Sequence, residues 1–222
     1  MTREPGSTIP EKLGASAGAW AALWIALHYL ILRSAVASPV MPDVDYVRAL
    51  IAERMSWEWA TALRVMGGLM IIWFMGSLAG RLRMAEGEPG RLASITFGVG
   101  TVWGAVWLLS AMFNSAAILL ATTYQNGPGA RLMGILGWDS VMILTPSILF
   151  VLMLAVGFVA MRYGGFPRAY ALLTTALTWI VLALALWDWY GAGDLGALIM
   201  TIGLAWLAVT SVLVIPVYRA GS

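Results

Sequence analysis

The stretch WDSVMILTPSILFVLMLAVGFVAM, residues Trp138–Met161, decides the fold. Asp139 is its one ionisable group, and the rest is apolar, small or hydroxyl-bearing. As a helix rising ~1.5 Å per residue, it is long enough to cross the ~30 Å hydrocarbon layer of a bilayer. Five other runs of this kind flank it, so the sequence predicts six spans: about 14–36, 59–80, 94–121, 138–161, 168–187 and 194–218. The fold class is therefore all-α, an integral membrane bundle of six transmembrane helices forming one domain. The composition agrees: of 222 residues, 61% are hydrophobic and 11% charged, against about a quarter charged in soluble chains.

Between the first two spans, Val44, Val47, Leu50, Ile51 and Met55 recur at helical spacing after Pro42-Asp43. This pattern predicts a short amphipathic helix over about 43–56, lying on the membrane and capped by Asp43. Residues 1–12 are polar and the first apolar run is long, so that run is expected to stay as a span. Eight basic residues, Arg3, Lys12, Arg81, Arg83, Arg91, Arg162, Arg168 and Arg219, fall on one side of the predicted topology. Arg33, Arg48, Arg54 and Arg131 fall on the other, and Arg64 lies just inside span 2. The larger group is expected to be cytoplasmic, with both termini inside the bacterial plasma membrane. Gly76/Gly80 and Gly100/Gly104, each pair four residues apart, suit close helix approach. Pro146 is expected to kink span 4.

The residues that are missing exclude much chemistry. With no Cys there is no thiolate nucleophile, disulfide or thiolate metal site. His28 is the only histidine, which rules out haem held by two histidines and leaves no metal cluster to expect. Lys12 is the only lysine and precedes the first span, so no retinal Schiff base can form within the membrane. No phosphate-binding loop, dinucleotide fingerprint or nucleophile elbow occurs, and no cofactor is expected. The net charge of +2 comes from loop arginines and reports topology, not nucleic-acid binding.

Twelve Trp is several times ordinary usage. An aromatic belt at the membrane boundary accounts for Trp57, Trp59, Trp138, Trp187 and Trp189, whereas Trp24, Trp103, Trp107, Trp179 and Trp206 lie inside their spans. Trp20, Trp24 and His28 fall on one face of span 1, Trp103, Trp107 and Asn114 on one face of span 3, and Trp179 and Trp187 on one face of span 5. Four acids gather at the same ends: Glu58, Asp139, Asp188 and Asp194, three of them beside Trp. Carboxylates near helix N-termini suit the macrodipole, which accounts for Glu58, Asp139 and Asp194 but not for Asp188. Arg64 or Arg33 is expected to neutralise one or two of them as buried pairs. Ionisable groups at membrane depth are functional candidates.

The segments Ile72-Trp73-Phe74-Met75-Gly76-Ser77-Leu78-Ala79-Gly80-Arg81-Leu82-Arg83 and Ala85-Glu86-Gly87-Glu88-Pro89-Gly90-Arg91-Leu92-Ala93 resemble a large group of uncharacterised actinobacterial multi-pass membrane proteins. Gly165-Phe166-Pro167-Arg168 and Trp206-Leu207-Ala208-Val209-Thr210-Ser211-Val212 carry the same resemblance. It spans most of the chain and implies fold and location only. In chemistry the chain is similar to small integral-membrane terpene cyclases, which are Trp-rich bundles with essential carboxylic acids and no metal site. The Asp-x-Asp-Asp motif of soluble cyclases is absent.

Two functions follow as expectations. One is a metal-independent cyclase of an apolar, prenylated substrate drawn from the lipid bilayer. Asp139, Asp188, Glu58 or Asp194 would donate the proton, and His28 or Asn114 would orient the acid. Trp24, Trp103, Trp107, Trp179 and Trp187 would bind substrate and shelter carbocations. The reading requires a closed aromatic cavity in which at least two of those acids converge. The alternative is a non-enzymatic membrane protein: a small transporter, a partner subunit or a lipid-binding sensor. No internal repeat of the transporter kind is evident, although Trp57-Glu58-Trp59 and Trp187-Asp188-Trp189 echo each other.

Overall fold

A computed structural model describes residues 9–32, 41–190 and 195–214. Among them are seven helices: α1 (Ile9–Leu32), α2 (Asp43–Ala52), α3 (Arg54–Glu86), α4 (Arg91–Thr122), α5 (Gly127–Tyr163), α6 (Arg168–Trp189) and α7 (Gly196–Val214). All but α2 are long and apolar enough to cross a membrane, so the protein is a multi-pass helical bundle. Arg33 and Asp194 lie outside the described residues.

The helices overrun the apolar runs that announced them. With 33 residues, α3 extends about 50 Å at helical rise, well past the hydrocarbon layer. α5 begins at Gly127, not near Trp138. Its start is set by Asn126, whose side chain accepts a bond from Gly129 N at 3.0 Å, with Pro128 in the first turn. Asp139 is therefore more than three turns from that N-terminus, too deep for the macrodipole to stabilise it. Pro146 is buried inside a helix that continues through it.

The surface helix is shorter than expected. It ends at Ala52, and residues 54–56 already belong to α3. Asp43 does not cap it: Pro42 holds the N-cap position without a side-chain bond, and Asp43 instead pairs with Arg131 of α5 at 3.2 Å. Tyr46 and Leu50 bury themselves against Ala117, Ala121 and Ala130, fastening α2 as a strap across the ends of α4 and α5. Burial pushes the Tyr46 phenol up to about 12, against a weaker opposing pull from Arg64.

Packing runs in chain order, α3 on α4, α4 on α5 and α5 on α6. α7 returns beside α1, where Ser211 Oγ donates to Ala15 O. Between α6 and α7, Trp206 Nε1 donates to Thr174 Oγ1 at 3.3 Å, and Tyr170 Oη meets Thr210 Oγ1 at 2.8 Å. Glu86 closes the turn between α3 and α4 by accepting from Leu92 N and Ala93 N, both at 3.0 Å.

The antiparallel α3–α4 contact is set by glycine. At Gly104 an added Cβ would lie 2.7 Å from Gly68 O and would also overlap Ile72. At Gly100 it would overlap Met75. Gly76 and Gly80 have nothing within 4 Å of the same position, so of the two glycine pairs only Gly100/Gly104 joins helices here. Gly104→Val should therefore destabilise the bundle by about 1–3 kcal/mol, while Gly76→Val leaves it close to wild type. Thermal unfolding of the two variants in one detergent checks this, and equal Tm values for both would contradict the register.

Candidate functional site

The most deeply buried charged group in the described bundle is Arg64, 3% exposed. It lies 17 positions before Arg81 on α3, or about 25 Å at helical rise. With Arg81 near one boundary, Arg64 falls inside the far edge of the hydrocarbon layer. Its hydrogen-bond partners come from two other helices. Arg64 Nε donates to Nε2 of His28 on α1 at 2.9 Å, and Arg64 Nη1 donates to Oγ of Ser110 on α4.

Each acceptor passes its own hydrogen to a backbone carbonyl. A guanidinium has no acceptor, so His28 Nε2 must be the unprotonated ring nitrogen. The ring hydrogen then sits on Nδ1, 2.9 Å from Ala60 O of α3. Ser110 Oγ donates to Gly137 O of α5. Gly137 is a necessity at that point, because a Cβ there would lie 2.5 Å from Asn114 Oδ1 and 3.2 Å from Ser110 O. One guanidinium thus ties α1, α3, α4 and α5 together. An arginine at the centre of a membrane helix costs ~2.5–3.5 kcal/mol on insertion scales, and hydrogen bonds to charged groups return ~1.5–3 kcal/mol each. The two bonds offset the insertion cost without any carboxylate.

No acid pairs with Arg64 among the described residues, contrary to the expected buried ion pair. The acids are held separately. Glu58 accepts from Arg54 Nε at 2.6 Å, half-exposed. Asp188 accepts from Leu195 N at 2.9 Å, so the carboxylate that opposes the dipole of α6 faces the opening turn of α7. Asp139 is half-buried and makes no hydrogen bond or ion pair among the described residues. These three share no partner, and the expected convergence is absent among the described acids.

The tryptophans divide in the same way. Trp103 and Trp107 are fully buried on α4, and Trp107 meets the rings of His28 and Tyr29 edge-on at 6.3 and 6.4 Å. Trp24 is half-buried and stacks on the exposed Trp20 at 6.3 Å. Trp179 and Trp187 are 58% and 60% exposed and point away from the core. Each four-residue step turns a helix position by about 40°, so the stripe from Trp20 through Trp24 rotates inward until His28 is buried. On α4 the steps from Trp103 to Trp107 to Asn114 nearly cancel, and all three stay inside. Ser110 belongs to that stripe too, but hydropathy reads serine as neutral and does not single it out.

Next to this centre, an open cleft of about 390 Å³ runs between α3 and α4. Arg54, Glu58 and Thr61 line one wall, and Ser115, Ile118, Leu119 and Thr122 line the other. No aromatic ring lines it. Among the described residues, no cluster of His, Asp and Glu suits a metal ion.

Asp188→Ala should lower stability by roughly 0.5–2 kcal/mol through loss of the bond to Leu195 N, while Asp188→Asn retains most of it. Chemical denaturation of the two variants checks this, and an unchanged midpoint for Asp188→Ala would contradict a structural role. No protein-family model matches the chain, and no curated protein or solved structure is detectably similar to it, so the reading of this site rests on its own geometry.

Proposed function

We propose that the chain is a non-enzymatic protein of the bacterial plasma membrane that binds a small ligand at the Arg64 centre, for transport or sensing. One observation carries the reading: a guanidinium buried at membrane depth with no counter-charge among the described residues. An ionisable group at membrane depth is a functional candidate even where hydrogen bonds offset its cost. The adjoining cleft of about 390 Å³ falls within the range of small-ligand sites. The arginine distribution favours cytoplasmic termini, which would turn α2, the cleft and Arg64 toward the outside.

Acid-initiated cyclisation of a prenylated lipid-like substrate is the second reading. Glu58 favours it, since that carboxyl lines the cleft. The cleft walls give a carbocation no aromatic face, and Trp103 and Trp107 are packed inside the bundle, not across from Glu58. The geometry therefore supports binding better than cyclisation.

Thermal unfolding of the purified chain in nanodiscs, run against a panel of soluble metabolites and lipids, separates the two readings. At a concentration of about 100 Kd a true ligand adds ~2.7 kcal/mol, which for a chain of this size raises Tm by several degrees. At least one compound should do so for wild type and not for Arg64→Gln, and prenylated substrates should emerge unchanged. A cyclised product that disappears in Glu58→Gln would overturn the binding reading.

A further inference from the structure

The buried polar atoms without partners near Arg64 can all donate a hydrogen bond. Asn114, 3% exposed, has an unpartnered Nδ2, and the indole Nε1 atoms of Trp107 and Trp103 on the same face of α4 are also unpartnered. Thr61, 8% exposed, has an unpartnered hydroxyl and lines the cleft. Nη2 of Arg64 makes no hydrogen bond among the described residues. The two acceptors hydrogen-bonded to the guanidinium are both neutral: His28 Nε2, and Ser110 Oγ, which passes its own hydrogen to Gly137 O. Such a surplus of donors around a lone cation is the inverse of a cation site and matches a ligand that only accepts.

The helix register brings these donors together. α3 and α4 run antiparallel, with Arg64 against Ser110 and Gly68 against Gly104. One turn toward the start of α3 leads from Arg64 to Thr61, and the matching turn toward the end of α4 leads from Ser110 to Asn114. Thr61 and Ser115 line the same cleft, one helical turn from Arg64 and one residue from Asn114 respectively. At the mouth, Arg54 and Glu58 neutralise each other at 2.6 Å, leaving Arg64 as the net charge of the site.

We propose that this centre binds the carboxylate of an organic acid, with Arg64, Asn114 and Thr61 as its donors and the α3–α4 cleft as its entrance. The proposal rests on the binding reading above and names its ligand class. A carboxylate is acceptor-only and monovalent, so it neutralises one guanidinium without leaving a second charge buried. One of its oxygens can accept from Arg64 Nη2 and the other from the Asn114 amide, because Nε and Nη1 are already engaged. A free acid in water and a fatty acid within the bilayer present this same group.

The test uses the full chain in phosphatidylcholine nanodiscs free of fatty acid, with benzoate, its neutral analogue benzamide, and oleate as probes. Benzoate or oleate should bind saturably and raise Tm, and benzamide should do neither. Binding of oleate alone would identify the bilayer as the source of the carboxylate, and binding of benzoate a soluble acid; both support the proposal. Arg64→Gln should weaken the affinity about tenfold or more, and Arg83→Gln, on the opposite surface, should leave it unchanged. Asn114→Asp guards against misfolding, because its built-in carboxylate should occupy the site, raise Tm above wild type and abolish binding. Equal binding of benzamide, failure of both carboxylates, or an Asn114→Asp chain that still binds at wild-type affinity would overturn the proposal. If the metabolite panel then yields an Arg64-dependent ligand lacking a carboxylate, the ligand class is wrong and the binding reading stands. If it yields none, both fall.

Discussion

A positive charge within a bundle that can cross a membrane must be satisfied by the groups around it, and the arrangement near Arg64 follows from that constraint. His28 must present Nε2 as an acceptor, which fixes its hydrogen on Nδ1 and directs it to Ala60 O. Ser110 must accept from Arg64, which leaves its hydroxyl hydrogen for Gly137 O. Gly137 must lack a side chain because Asn114 and Ser110 crowd it. These requirements reach into four helices and draw them together at the end covered by α2. Replacing any one member leaves a buried donor or acceptor behind, which costs more than the bond itself contributes.

The aromatic and acidic residues fall into place around this core. Trp107 and Tyr29 pack edge-on with His28 and so limit access of water to the imidazole. Tyr46 brings the strap α2 down on Gly134, where a side chain would collide with its hydroxyl. The carboxylates mostly organise the periphery: Asp43 holds α2 to α5, Glu58 neutralises Arg54, Glu86 opens α4, and Asp188 steadies the start of α7. Among the described residues the acids thus act mostly as local fasteners, while Arg64 is buried in the interior without a counter-charge.

The spans were legible because burial in lipid demands long apolar runs, and hydropathy detects them directly. The ends were not, since hydrogen bonding continues a helix past the apolar run: α3 starts early through the polar Arg54–Glu58, and α5 through the glycine-rich Gly127–Gly137. His28 and Asn114 were legible as polar points on apolar stripes. Arg64 was visible as a charge, but its partners were mistaken for acids. The sequence shows four carboxyl groups nearby in the topology, while the neutral acceptors that satisfy Arg64 come from a histidine 36 positions away and a serine 46 away. Trp179 and Trp187 misled for a different reason: shared periodicity says that residues lie on one face, not which face meets the core.

The most direct measurement of the account exploits the single histidine. Ring-nitrogen NMR of isotopically labelled histidine in the nanodisc-embedded chain reports one residue without overlap. The structure predicts a neutral ring protonated at Nδ1, with Nε2 unprotonated and accepting from Arg64. That pattern should collapse to a mixture of tautomers in Arg64→Gln. A wild-type ring protonated at Nε2, or at both nitrogens, would contradict the arrangement on which the rest of the bundle depends.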